Sequence, residues 1–263
     1  MKNYFVIGNP IEHSFSPRLH NYWNKIHNIK AEYFKRKLSN LEIEGFINDF
    51  RQKKMSGVNV TVPFKRSVIN YLDILSSDAE KTQSVNTITL DQNKLIGHNT
   101  DIFGFEQAIK KLNFKVGGKK IFILGAGGVV PSIIYALDKM EASSITISNR
   151  TKEKAEKLKD QFYKINILDW GEIPDFDLII NATSLGLKNE NINLDFSNIN
   201  KDKLFYDLIY NPSETNFLKE GRKHGNMSEN GKLMFVYQAQ EAFKLWHGVR
   251  PDINEQTLEL LNL

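Results

Sequence analysis

Lys119-Lys-Ile-Phe-Ile-Leu-Gly-Ala-Gly-Gly128 decides how this chain is read. A short apolar run ends directly in a glycine turn, and a helical stretch follows. That is the order of strand, tight turn and helix in a dinucleotide-binding βαβ unit. Gly125 can make the turn, Gly127 lets backbone N–H groups approach a pyrophosphate, and the helix N-terminus offers the positive end of its dipole. Ala126, Gly128 and Val129 complete the loop. The third small position of G-x-G-x-x-G is taken by Val130, with Pro131 after it. The helix is therefore expected to start near Gly128, with proline in a first turn where its missing N–H has no intrahelical partner to lose. Taken alone, the glycines also suit an ordinary β-turn-α connection.

Downstream, apolar runs at Ser144 to Ser148, near Lys164 to Leu168, at Asp177 to Asn181 and at Leu204 to Ile209 read as strands. Helical segments separate the first of them, which implies a parallel sheet. An acidic residue about 20 positions after the glycines would bond a ribose 2′-OH and mark NAD. Ser148-Asn149-Arg150-Thr151 stands there instead, with a guanidinium, an amide and a hydroxyl suited to a 2′-phosphate. The expected cofactor is NADP. Asn181-Ala-Thr-Ser-Leu-Gly186 follows a strand at its carboxyl end, where open α/β sheets bind ligands. The hydroxyls of Thr183 and Ser184 could line the nicotinamide, though a turn rich in small polar residues is equally plain loop chemistry.

Upstream, Tyr4 to Ile7, Pro17 to His27, Glu32 to Leu38, Leu41 to Lys54 and Val58 to Val62 read as β-α-β-α-β. A helix is expected near Lys65 to Leu72, a hairpin over Asn86 to His98, and a helix from Asp101, its N-cap, to Leu112. Gly117-Gly118 marks the change of pattern, and Met234 to Trp246 forms an apolar helix that could return to the first domain. At 263 residues, 41% hydrophobic and 25% charged, the chain suits two globular α/β domains. A net charge of +4 spread over 35 basic and 31 acidic residues does not mark a nucleic-acid binder. Without cysteine, and with six scattered histidines, no metal site is expected. No run of 18 apolar residues suggests a membrane span, and the first apolar run is too short for a signal peptide, so a cytoplasmic location is expected.

Polar side chains concentrate where the first strands end: Ser14 and Ser16, Thr61 and Lys65, and Asn86, Asn99 and Asp101. Singly, Lys65 reads as a surface lysine and Asp101 as a helix cap. Chemistry argues otherwise, because reducing a ketone with hydride leaves an alkoxide that must receive a proton. The chain has no cysteine and no evident catalytic tyrosine motif. A lysine can donate that proton while a carboxylate orients it and keeps it charged.

Val6-Ile-Gly-Asn-Pro-Ile11, His13-Ser-Phe-Ser-Pro17, His20-Asn21, Asn59-Val-Thr-Val-Pro-Phe-Lys65, Val85-Asn-Thr87 and Gly97-His-Asn-Thr-Asp101 together resemble the first half of shikimate dehydrogenases. Gly125 to Gly128, Asn149-Arg-Thr151, Asn181-Ala-Thr-Ser184, Tyr206-Asp-Leu, Tyr210-Asn-Pro212, Gly231 and Gln238 continue the resemblance in order along nearly the whole chain. It implies that Lys65 and Asp101 form the catalytic pair, and that Ser14, Ser16, Thr61, Asn86, Tyr210 and Gln238 hold the substrate's carboxylate and hydroxyls. It also implies that Leu208 and Gly231 approach the nicotinamide. The implied architecture is an N-terminal α/β substrate domain over 1–101, a Rossmann-like NADP-binding domain over 102–235, a cleft between them, and helices over 236–263 returning to the first. The implied reaction is NADP-dependent reduction of 3-dehydroshikimate to shikimate by a monomer or homodimer, without nucleic-acid or membrane partners. The alternatives are a quinate/shikimate dehydrogenase and a non-catalytic NADP-responsive module.

Overall fold

The computed structural model describes residues 1–261 and divides into two compact units. The first comprises Met1–Gly104 and the chain from Val236 onward, and the second Phe105–Phe235.

In the first unit, strands β1 (Lys2–Gly8), β2 (Ala31–Lys37), β3 (Gly57–Val60), β4 (Ile74–Leu75), β5 (Thr87–Asp91) and β6 (Lys94–His98) form one sheet in the order β2-β1-β3-β5-β6-β4. β1 lies parallel to both β2 and β3, whereas β5 runs antiparallel to β3 and β6. The sheet is therefore mixed. Gln92 and Asn93 join β5 to β6, with φ of 45° and 63°. Two successive positive φ values make the hairpin turn whose twist matches its strands. Alternation along the strands sorts side chains to two faces. One face packs Ile7, Val58, Val60 and Ile88 against Phe46 and Phe50 of helix α2 (Ile43–Arg51), and the other packs Tyr4, Val6 and Tyr33 with Trp246. Helix α1 is Ser16–Ile26 and α3 is Ser77–Thr82. In place of the helix expected from Lys65, Ser67–Tyr71 forms a short 3-10 helix.

Helix α4 (Thr100–Lys111) spans the division between the units. The second unit holds β7 (Lys120–Leu124), α5 (Val130–Lys139), β8 (Ser144–Ser148), α6 (Lys152–Gln161), β9 (Asn166–Leu168), β10 (Leu178–Asn181), β11 (Leu204–Asp207), α7 (Asn216–Lys223) and β12 (Met227–Glu229). Every pairing is parallel, in the order β12-β11-β10-β7-β8-β9. Counted from β7, this is the 3-2-1-4-5-6 order of the doubly wound nucleotide-binding fold. Its ligand crevice lies at the carboxyl ends of the first and fourth strands, where the winding reverses. β7 and β10 are those strands, so the glycine loop and the loop after Asn181 flank the switch point. Phe122, Leu124, Ile179, Phe205 and Phe217 fill the core on one side of the sheet.

Helix α8 (Lys232–His247) also spans the division, and α9 is Glu255–Glu259. Near the end of α8, Trp246 Nε1 donates to the Ile88 carbonyl at 3.1 Å. Among the described residues no helix is long and apolar enough to cross a membrane.

Candidate active site

Lys65 sits in the turn after β3, anchored by buried Phe64 and by a hydrogen bond from Val85 N to the Lys65 carbonyl at 2.8 Å. Its Nζ donates to Asp101 Oδ2 at 2.5 Å, and the two residues are 9% and 5% exposed. Neither is a surface residue. Removing one partner of a buried pair strands a charge, at a cost of about 3 to 5 kcal/mol. Asp101 is not the N-cap of α4: the helix begins at Thr100, and Asn99 Oδ1 accepts from Asp101 N at 3.1 Å. With Asn99 in that capping role, the Asp101 carboxylate is left for side chains. Its Oδ1 accepts from Asn86 Nδ2 at 2.8 Å.

Asn86 Nδ2 also donates to Thr100 Oγ1 at 2.9 Å and to Gln238 Oε1 at 3.4 Å, while its Oδ1 accepts from Thr100 N at 2.7 Å. Lys65, Asp101, Asn86 and Gln238 thus form one cluster. Ser14 and Ser16 meet at 3.2 Å between hydroxyls where α1 begins. Thr61, just past β3, is half-buried beside Gly8, whose missing Cβ leaves room for the Thr61 methyl. Asn59, within a stretch the sequence singled out, and Tyr33, outside all of them, also join this network. Their hydroxyl-to-amide contact spans 2.6 Å. Their signal was sheet register, since Tyr33 pairs with Tyr4, and Val6, on the same face of β1, pairs with Asn59.

In the second unit Gly125 has φ +109°, and a Cβ there would stand 2.8 Å from the Ala182 carbonyl oxygen. Only glycine suits that turn. At Gly127 the nearest such atom is 3.8 Å away, and Gly127 and Gly128 are exposed. The loop is an open cradle of the kind a pyrophosphate occupies. Helix α5 begins at Val130, two residues after Gly128, because Val130 is fully buried and packs as the helix's first core residue. Pro131 lies in the first turn. After β8, Asn149 Nδ2 donates to the Thr151 carbonyl at 2.7 Å, forming a turn on which Arg150 is exposed.

Thr183 N and Oγ1 both donate to Asn181 Oδ1, at 3.1 and 2.7 Å, and Thr183 Oγ1 accepts from Leu185 N at 3.0 Å. Its hydroxyl is used within its own turn, whereas Ser184 is exposed. Buried Asp207, for which the local sequence offers no evident role, accepts from Asn181 Nδ2 at 3.0 Å, Ile209 N at 3.0 Å and Thr215 Oγ1 at 2.6 Å. Burial nevertheless pushes its carboxyl up to about 6. The bond to Ile209 N turns the chain after β11, which ends at Asp207 instead of Ile209. Gly231 lies so close to the Leu208 carbonyl that a Cβ would overlap it. Tyr210 stacks on Phe235 with centroids 4.6 Å apart. Among the described residues no three His, Asp or Glu side chains gather closely enough to hold a metal ion.

Comparison with known proteins identifies the family. Residues 6–88 match the shikimate dehydrogenase substrate binding domain, 106–208 the shikimate / quinate 5-dehydrogenase family, and 233–255 the shikimate 5′-dehydrogenase C-terminal domain. A shikimate dehydrogenase (NADP(+)) of Pelagibacter ubique is 54% identical over 263 residues, covering 100% of this chain and 99% of its own. The crystal structure of shikimate dehydrogenase from Aquifex aeolicus aligns with TM-score 0.91 and 36% identity over 99% of this chain and 97% of that one. The Thermus thermophilus enzyme, solved with NADP(H) and shikimate, aligns with TM-score 0.91 and 28% identity over 99% and 98%. With three consecutive domain matches and 54% identity to a relative over its whole length, the chain belongs to the shikimate dehydrogenase family.

Proposed function

We propose that this chain is a cytoplasmic NADP-dependent shikimate dehydrogenase, reducing 3-dehydroshikimate reversibly to shikimate in aromatic amino-acid biosynthesis. The observation that carries the reading is the buried contact of Lys65 with Asp101 at 2.5 Å, a ready proton donor with its orienting carboxylate. NADPH, when bound, supplies the hydride. The Gly125, Ala126, Gly127, Gly128 and Val129 loop would hold its pyrophosphate, and Asn149, Arg150 and Thr151 its 2′-phosphate. Thr183, Ser184, Leu208 and Gly231 would border the nicotinamide. The exposed cradle at Gly127 and the absence of any carboxylate between Ser148 and Thr151 support that assignment.

Ser14 and Ser16 hold the substrate's carboxylate in this reading, and Thr61, Asn86, Tyr210 and Gln238 its hydroxyls. As the carbonyl carbon gains a hydride, the oxygen takes the electron pair of the C=O π bond, and Lys65 Nζ gives it a proton. The product carries C–H and O–H where the ketone stood. Asp101 keeps Nζ aimed throughout, and lysine regains its proton from solvent. In the oxidative direction neutral lysine takes the hydroxyl proton.

A spectrophotometric assay of the purified chain tests the reading, with shikimate and quinate each offered with NADP and NAD. Rapid NADPH formation from shikimate, with quinate and NAD poor, is the expected result. Comparable efficiency with quinate would move the chain to the dual-specificity branch, and inertness toward shikimate would end the assignment.

A further inference from the structure

Tyr33 stands on β2, is 2% exposed, and belongs to none of the motifs discussed above. Its hydroxyl donates to Asn59 Oδ1 at 2.6 Å, and the Ser16 side chain lies near enough to offset in part the upward push that burial gives the phenol's pKa. Asn59 cannot turn its amide around. Its Nδ2 donates to the Asn86 carbonyl at 3.0 Å and to Thr87 Oγ1 at 2.9 Å, so Oδ1 must face Tyr33 and the phenol proton has a fixed direction. From Ser16 the network reaches Ser14 at 3.2 Å. From Asn86 it reaches Asp101 at 2.8 Å, and from Asp101 it reaches Lys65 at 2.5 Å.

The ring is fixed as firmly as its hydroxyl. Tyr33 lies flat on His20, with centroids 4.3 Å apart and planes 5° apart. His20 is 1% exposed, and neither ring nitrogen has a hydrogen-bond partner. Burial first, and the nearby His247 second, push its pKa down to about 3, so the ring is neutral. Trp23, Phe243 and Trp246 surround it. Burying an imidazole unpartnered costs stability. What the arrangement provides is a flat, uncharged surface that sets the plane of Tyr33.

We infer that Tyr33 is a positioning residue for the reaction, its hydroxyl tying the serines that anchor the substrate to the Asn86–Asp101–Lys65 cluster through Asn59. The inference rests on the proposed roles of Ser14, Ser16, Lys65 and Asp101. Tyr33 itself touches neither reacting partner. It fixes the spacing between the carboxylate anchor and the proton donor, which a small misplacement would spoil.

The test uses the full chain as wild type, Tyr33→Phe, Asn59→Ala and the double variant. Initial rates are measured with shikimate and NADP varied in turn, and thermal unfolding is followed in parallel. Tyr33→Phe keeps the ring on His20 and should lower kcat/KM for shikimate about tenfold, the range of one buried hydrogen bond, while KM for NADP stays within about twofold. Because Tyr33 acts through Asn59, the double variant should be no more than about twofold worse than the more damaging single variant. Wild-type efficiency in Tyr33→Phe, losses that multiply in the double variant, or equal losses for both substrates alongside a lowered melting temperature would each overturn the inference. Should Tyr33→Phe not fold, Asn59→Ala decides, with a shikimate-selective loss supporting it and an unselective one overturning it. A wild-type chain inert toward shikimate would instead sink the reading of the reaction, and this inference with it.

Discussion

Lys65 is held in place by its own turn and reaches Asp101 on α4, the whole residue being 9% exposed. Lys65→Met keeps the length and apolar bulk of the side chain but has no proton to give. Its kcat should fall at least about a hundredfold with little change in KM, as removal of a general acid requires. Asp101→Asn keeps the shape and removes the charge that aims Nζ. If the two residues act as one unit, as proposed, the double variant should be little worse than the worse single one. Losses in activation free energy that simply add would show independent roles. The types and order of these residues were legible in the sequence, because each lies on a motif. Their contact was not, since 36 positions separate them and a helix cap was the simplest local use for an aspartate there. Asn99 resolves that conflict by accepting from Asp101 N. Tyr33 and Asn59 were less legible still. What joins them is the placement of β1 between β2 and β3, a property of three strands that no window along one of them contains.

The parallel half of the fold was readable because each strand ends in a turn or helix of recognisable composition. Shorter elements were not. Helix α3 buries only Ala79 and Thr82, too few to show a period, and β12 has three residues. The glycine loop itself separates two roles that its sequence presents as alike. Gly125→Ala would force a side chain at φ +109° against the Ala182 carbonyl, so it should lower the melting temperature and NADP affinity together. Gly127→Ala meets nothing closer than 3.8 Å within the chain and should melt like wild type while binding NADP weakly, because its methyl would occupy the pyrophosphate's approach. Unimpaired NADP binding in Gly127→Ala would remove the loop from the cofactor site. Asp207 ties the turns after β10 and β11 together and leaves a pH signature. Its pKa rises from 3.8 to about 6 on folding, so the folded chain holds that proton more tightly than the unfolded one. The associated stability is present below 3.8 and is lost as pH rises through about 6. Between about pH 3 and about pH 7, wild type should therefore lose about 3 kcal/mol of unfolding free energy relative to Asp207→Asn. A constant difference across that range would show that the three donors to Asp207 outweigh its burial.

The first unit is made of two separate stretches of chain, and α8 supplies part of its core. Trp246 packs its ring 5.0 Å from Tyr4 and 5.5 Å from His20, and bonds the Ile88 carbonyl. Trp246→Ala should cost about 3 kcal/mol, the lower end for losing a large aromatic side chain from a core. Hydrogen exchange should localise the damage, with faster exchange in β1 and β3 and little change in β7 and β10. Equal acceleration in both sheets would show that the tryptophan supports more than the first unit. That Met234 to Trp246 forms an apolar helix was visible in the sequence, but the identity of the sheet face it covers came only from Tyr4, Tyr33 and Trp246 meeting in space. The discontinuity also bears on how the protein is made. A ribosome releases β1 to β6 early, with the face that receives Trp246 still bare, and must then translate the whole of Phe105–Phe235 before the covering helix emerges. The intervening stretch is continuous and can close as soon as it is free, whereas domains made first usually also fold first. Here the order is inverted: the half translated first must wait, with tyrosines exposed to water and to chaperones, for the last turn of α8 to leave the exit tunnel.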